Sequence, residues 1–401
     1  MTSKFGGLAV PMRMTRRRPP TYPHHSNAHM NHTSNTLTRF GEFTYFTHDD
    51  PIGLSLLKYG EWAQDEIQFL REFVRPGSLV VDIGANVGTH TVSFSHLVGT
   101  AGRVVSFEPQ PAVFEVLEAN VANCALPNVQ CIRGGAGEHW QELGLEPIDY
   151  SSHNNFGAIS LNDSSNANCV KVPVRPVDSL ELQQCELIKI DAEGMELSVL
   201  KGLHQTLKRC RPILFIECND ANHGLSLYQH LNQDYDFFLV STSAYNSDNF
   251  NGISDNVFGV AHEASLLCIP IGRVPEFTSI LTRVGVAHLP TPSELVLRHN
   301  EVPRYGDTTD HDRNLESWRQ ISEQTRVALK AAEEALSRSN FRETSLRHTR
   351  DRALSRLAAL EGCAAEITRL NQEVADIRAS TSWRVTSPLR VFMNLVRRVL
   401  R

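Results

Sequence analysis

Residues 79–90 read L-V-V-D-I-G-A-N-V-G-T-H, and their order decides the fold. Leu79, Val80, Val81 and Ile83 form a short apolar run interrupted only by Asp82, the pattern of a strand buried on both faces. Gly84, Asn86 and Gly88 supply turn-prone positions, and Thr89 to Leu97 begins a helix. Strand, glycine turn and helix start together let a ligand approach the backbone closely. A dinucleotide fingerprint would read G-x-G-x-x-G without an acid at the strand end. Here the pattern is D-x-G-x-N-x-G, with Asp82 ahead of the first glycine. A carboxylate there repels a pyrophosphate and suits an ammonium or sulfonium group, which points to S-adenosylmethionine.

The next strand supports that reading. Arg103 to Phe107 is apolar and ends in Glu108-Pro109, 26 residues after Asp82. An acid at that spacing reaches ribose hydroxyls and accepts two hydrogen bonds from them. A solvated strand-end glutamate is the alternative. A helix over Pro111–Asn123 and a strand over Val129–Ile132 follow, then Gly134-Gly135-Ala136-Gly137. The backbone at Gly135 and Ala136 passes close to something flat, for which adenine is the natural occupant.

Further along, E-L-I-K-I (186–190) and Pro212 to Ile216 read as strands ending near Asp191 and Glu217, and Asp236–Ser241 and Leu266–Ile269 complete seven. Strands alternating with helices at this spacing predict an α/β fold with a mostly parallel, doubly wound sheet. Ligands in such sheets sit outside the carboxyl ends of the strands. Asp82, Glu108, Asp191 and Glu217 all fall at those ends. Phe156–Leu161 and Val170–Val174 are expected to pair as a hairpin. The segment Phe43–Tyr59 is expected to form a lid, and helices are expected over Ala63–Val74 and from Met195 through Lys208.

Residues 60–271 resemble the FkbM family of S-adenosylmethionine-dependent methyltransferases. The matching pieces are V-V-D-I-G-A-N-V-G-T-H (80–90), F-E-P (107–109), V-P-V-R-P-V-D-S-L (172–180), L-I-K-I-D-A-E-G-M-E-L-S-V-L-K-G (187–202), R-P-I-L-F-I-E (211–217) and L-C-I-P (267–270). The resemblance implies a seven-stranded class I methyltransferase fold of Rossmann-like type and O-methylation of a hydroxyl on a sugar or polyketide-like acceptor. Cofactor binding then falls to Asp82, Gly84, Asn86, Gly88, Glu108, Pro109, Gly135 and Ala136. Asn219 stands where members often carry a histidine, which leaves the base open.

Methyl transfer to an alcohol needs the acceptor oxygen held in line and a group to take its proton. Lys189, Asp191 and Glu193 alternate past the fourth parallel strand and, with Glu217, are the catalytic candidates. Asp191 or Glu193 accepts the proton, or Lys189 does if desolvated. A structural Lys189–carboxylate network is the alternative. A divalent metal on Asp191 together with Glu217 or with the Asn219-Asp220 pair suits oxygen ligands, but no spacing forces it.

The 401 residues include 41% hydrophobic and 21% charged ones, room for one sizeable domain with extensions. A net charge of −6 argues against a nucleic-acid partner. Eight cysteines without a C-x-x-C pair suggest reduced thiols and a cytoplasmic location. No apolar run approaches the ~20 residues of a membrane span. Residues 1–40, basic and without an acid, are expected to be a disordered leader, 41–272 the methyltransferase domain and 273–310 a linker.

Residues 311–380 contain no proline and carry a heptad frame that is best over 357–374. Asn371 falls at an a-type position, so a homodimeric coiled coil through 357–378 is expected, with a lone helix folded on the enzyme as the alternative. After Asp376 six arginines follow without an acid. S-T-S-W-R-V-T-S-P-L-R (380–390) resembles a tail of bacterial surface-polysaccharide proteins, which tilts the acceptor toward a cell-surface glycan. The basic amphipathic segment 383–401 is expected to touch the inner face of an anionic membrane or to dock on a partner helix. A catalytically silent scaffold that organises glycan assembly is the other function the sequence allows.

Overall fold

The computed structural model describes residues 31–162 and 168–303. An antiparallel hairpin of β1 (Thr33–Thr38) and β2 (Gly41–Phe46) comes first, then α1 (Ile52–Tyr59) and α2 (Gln64–Leu70). The alternating unit runs β3 (Leu79–Ile83), α3 (Thr89–Val98), β4 (Arg103–Glu108), α4 (Pro111–Asn123) and β5 (Val129–Arg133). A small sheet of β6 (Gly135–Ala136), β7 (Gln141–Leu145) and β8 (Val170–Arg175) interrupts it. Then come β9 (Leu187–Ile190), α5 (Glu196–Lys201), α6 (His204–Cys210), β10 (Ile213–Glu217), α7 (Ala221–Leu231), β11 (Tyr235–Ser243) and β12 (His262–Pro270). The described residues close with α8 (Val274–Val284), β13 (Ala287–His288) and α9 (Pro292–Asn300).

The main sheet has the order β13-β11-β12-β10-β9-β3-β4-β5. From β5 to β10 it is parallel, and β12 runs antiparallel to both its neighbours. This is the mostly parallel α/β sheet expected, with eight strands rather than seven. The extra strand is β13, paired with β11 at Phe238↔His288 and Leu239↔Ala287.

Period-two alternation sets the two cores. Leu79, Val81 and Ile83 enter one with Ile188, Ile190 and Leu214, against α5 and α7. Val80, Leu187 and Ile213 enter the other with Phe94, Phe69 and Phe277. Asp82 and Lys189 are paired neighbours on β3 and β9 and share this second side. A third cluster packs Tyr45, Phe46, Ile52 and Leu56 against Val87 and Val113, so the hairpin and α1 cover the glycine turn. Asn120 fastens that cover. Its Oδ1 accepts from Thr44 N at 2.7 Å, and its Nδ2 donates to Thr44 O and Val87 O at 2.9 and 2.8 Å.

Several expectations need correction. The disordered leader cannot extend to residue 40, because 33–38 pair with β2. The linker of 273–310 contains α8, β13 and α9, with Phe277, Leu289, Leu295 and Val296 buried. Its prolines and glycine are helix punctuation: prolines open α8 and α9, Thr291 caps α9, and Gly285 ends α8 in the left-handed region. The partner of β8 is β7, with Leu143 opposite Val172, rather than 156–161. Phe156 instead packs on Phe46 and Tyr150.

The helix expected through Lys208 breaks at Gly202, where a Cβ would lie 2.0 Å from Gly137 O. The helix expected over 63–74 ends at Leu70 and continues as a short 3-10 turn to Phe73. The coiled coil of 311–380, the tail of 381–401 and residues 1–30 lie outside the described residues.

Candidate active site

A cavity of about 420 Å³ opens at the carboxyl rim of the parallel strands. Gly84, Asn86, Glu108, Pro109, Gly135 and Ala136 line one part, and Lys189, Asp191, Glu193 and Glu217 line the rest. Asp82 and Gly88, both expected at the cofactor, do not line it. Alternation along β3 turns Asp82 toward α3, where its Oδ2 accepts from Thr91 Oγ1 at 2.6 Å and Oδ1 is left without a hydrogen bond. Gly88 caps α3 in the left-handed region, and a Cβ there would meet Leu117.

The turn leaves few amides for a ligand. Gly84 N and Ala85 N both donate to Phe107 O, Asn86 N donates to Glu108 Oε2 at 2.9 Å, and Val87 N donates to Asn86 Oδ1. A turn whose amides are so engaged has little to offer a pyrophosphate. Gly84 is required for another reason. At its φ of 79°, a Cβ would sit 1.7 Å from Asp191 O, so this glycine lets the ends of β3 and β9 touch.

Glu108 is buried. Besides Asn86 N, it accepts from Gln110 N at 2.8 Å, leaving further lone pairs for hydroxyl donors. Burial pushes its carboxyl up to about 7, against two backbone hydrogen bonds that favour the ionised form, while Asp191 and Asp82 push it further. Beside it, Gln110 Oε1 is buried without a partner. A carboxylate with spare acceptors, an orphaned amide oxygen and a small-residue wall at Gly134–Ala136 fit an adenosyl group.

The other part of the cavity is a proton-sharing cluster. Lys189 Nζ donates to Asp191 Oδ2 at 2.9 Å. Burial opposes the Lys189 charge, but Asp191, Asp82 and Glu66 together outweigh it and hold the ammonium above its ordinary value. Asp191 is penalised by burial too, yet Lys189 and a hydrogen bond with Glu217 keep it below the usual range. Glu217 is driven well above its ordinary value by burial and by Asp191 and Glu193, so it holds the proton of that bond. Glu193 rises to about 8 through burial, then Asp191 and Glu196.

Asp191, Glu193 and Glu217 each bring an oxygen to within 4.8 Å of the others. The turn that presents Asp191 and Glu193 is strained, with Glu193 at φ 46°, and Glu196 secures it by accepting from Ala192 N and Gly194 N at 3.0 and 3.1 Å.

Other lining residues carried no assignment from sequence. Glu66 and His90 come from α2 and α3, with His90 Nε2 2.9 Å from Glu66 Oε1 but off the axis of a hydrogen bond. His262 and Glu263 start β12. Strand direction was the available signal, since an antiparallel strand brings its amino end to the rim where parallel strands bring their carboxyl ends. Asn155, Gly157 and Ala158 arrive on a loop that no local pattern marks.

Residues 82–239 match the sequence profile of a family described as Methyltransferase FkbM domain. Over 145 residues the chain is 30% identical to Hexuronic acid methyltransferase AglP of Haloferax volcanii, covering 36% of this chain and 58% of that protein. Over 160 residues it is 27% identical to Methyltransferase sdnD of Sordaria araneosa, covering 31% and 60%. The chain thus spans less than two thirds of either relative. A solved methyltransferase FkbM from Methylobacillus flagellatus is similar at 18% identity over 50% of each chain, with a TM-score of 0.33. Residues 82–239 carry an FkbM methyltransferase domain, and both curated relatives are named as methyltransferases.

Proposed function

We propose that this chain is an S-adenosylmethionine-dependent O-methyltransferase acting on a sugar hydroxyl, in surface-glycan biosynthesis. The observation that carries the reading is one cavity with an adenosyl-suited half at Gly84–Asn86, Glu108 and Gly135–Ala136 and a proton-handling half at Asp191, Glu193 and Glu217. AglP, by its name a hexuronic acid methyltransferase, supports the sugar context.

When bound, the cofactor supplies an electrophilic methyl group. Glu108 accepts hydrogen bonds from the ribose hydroxyls. Lys189, held protonated, is not the base and instead orients Asp191. Glu217 steadies Asp191 from its other side by donating to it. Glu193, whose carboxyl is pushed up to about 8, takes the acceptor proton in its ionised form, so transfer should rise with pH toward that value. No step requires a divalent metal, and a requirement for one would appear as activity lost to chelation and restored by the ion.

Cytoplasmic location, a homodimer through 357–378 and membrane contact through 383–401 belong to the same proposal. No helix among the described residues is long and apolar enough to cross a membrane. The test is label transfer from methyl-labelled cofactor to glycans extracted from the source cell, with mass spectrometry of the product. A new methyl ether that depends on Glu193 is expected. Cofactor binding without transfer to any glycan fraction overturns the enzyme reading in favour of a scaffold.

A further inference from the structure

We propose that the ring presented to this site by the acceptor carries no anionic group, so that a neutral sugar is methylated in preference to the matching uronate, sulfate or phosphate. The inference rests on the function proposed above and narrows its substrate class. Five carboxyl side chains line the acceptor end: Glu66, Asp191, Glu193, Glu217 and Glu263. Lys189 is the one lysine or arginine among the described residues lining the cavity, and it is already committed. Its side chain is 5% exposed, with Nζ on Asp191.

An arginine is the side chain that would clamp a carboxylate bidentately. Arg39 instead holds Glu61, and Arg133 is paired in register with Glu108, on the adenosyl side. Of the two histidines at the site, His90 sits against Glu66 and His262 contacts Val260 O.

An anionic ring would enter beside groups that already repel one another. Burial first, and then the neighbouring carboxylates, keep protons on Glu193 and Glu217, and both causes would also oppose an anionic ring. A hydroxyl-bearing ring suits the same cluster in both directions, accepting from the protonated carboxyls and donating to ionised Asp191. Selection against the uronate therefore comes from unpaired like charge.

The test compares paired glycosides on one aglycone, glucoside with glucuronoside and galactoside with galacturonoside, using the full chain and methyl-labelled S-adenosylmethionine. The neutral member of a pair is expected to show at least a tenfold higher kcat/KM. The reverse preference overturns the inference while leaving methyl transfer intact. In the variant Glu263→Arg the preference should narrow, and an unchanged ratio overturns the charge explanation. If no glycoside accepts methyl, methyl ethers in the source cell's glycans are compared with and without the gene. Loss from a neutral or amino sugar supports the inference, and loss from a uronate overturns it alone. Absence of any loss overturns it together with the function it rests on.

Discussion

The two halves of the cavity are built on opposite plans. Around Gly84–Gly88 the backbone amides and the Glu108 carboxylate satisfy one another over a short span of chain. At Lys189, Asp191, Glu193 and Glu217, two strand ends and a strained turn press carboxyl groups together, and their protons are shared. Local satisfaction makes a stiff cradle whose members can be changed one at a time. Crowded acids make a coupled unit, in which one substitution alters the protonation of the rest.

That contrast can be broken most forcefully at Asp191. Asp191→Ala leaves buried Lys189 without its partner and should cost about 3 kcal/mol of stability in urea unfolding. Adding Lys189→Met should restore most of the loss, and a failure to restore it would show that Asp191 is not coupled to Lys189. In the stiff half, Glu108→Ala should weaken S-adenosylmethionine by about 1–3 kcal/mol in calorimetry, the scale of lost charge-assisted hydrogen bonds. Native affinity in that variant would end the adenosyl assignment.

A pH-dependent effect, about 1.4 kcal/mol at each pH unit, follows from the proton on Glu108. Folding raises its value from an ordinary 4.5 to about 7, so between those limits the folded chain keeps a proton the unfolded chain has lost. The stability linked to this group is complete below pH 4.5 and falls by about 1.4 kcal/mol per pH unit up to about pH 7. Denaturant titrations of Glu108→Gln should therefore show a shallower decline over that range than the native chain. The smallest effect belongs to Asp82. Because it faces Thr91 and not the cavity, Asp82→Asn should leave cofactor affinity within about 0.5 kcal/mol, on the scale of a residue outside direct contact. A tenfold loss would mean that its charge reaches the ligand through Lys189.

The same contrast explains what could be read from the chain. The 79–90 pattern, Glu108 and the strand ends at Asp191 and Glu217 are encoded within a few residues, so spacing and strand direction located them. Alternation also held the information that Asp82 shares the side of Val80, against α3, yet the acid-first pattern drew Asp82 into the site. The turn at Glu193 depends on Glu196, whose two hydrogen bonds have no signature in composition. Glu66, His90, His262 and Glu263 come from three separate elements, and only the folded sheet brings them together. Residues 274–300 were misread because proline and glycine punctuate helices as readily as they fill linkers.

The Asn120 clamp has a consequence for how the chain is made. Tyr45 and Phe46 leave the ribosome well before Val113 and Phe156, which help cover them, and Thr44 waits 76 residues for Asn120. Arg39 waits 209 residues for the carbonyl of Asp248. At ordinary rates of synthesis the second interval is roughly 10–40 s. Until Val113 and Asn120 emerge the apolar hairpin has little beyond α1 and Val87 to pack on, and its polar tie at Arg39 is among the last to be secured.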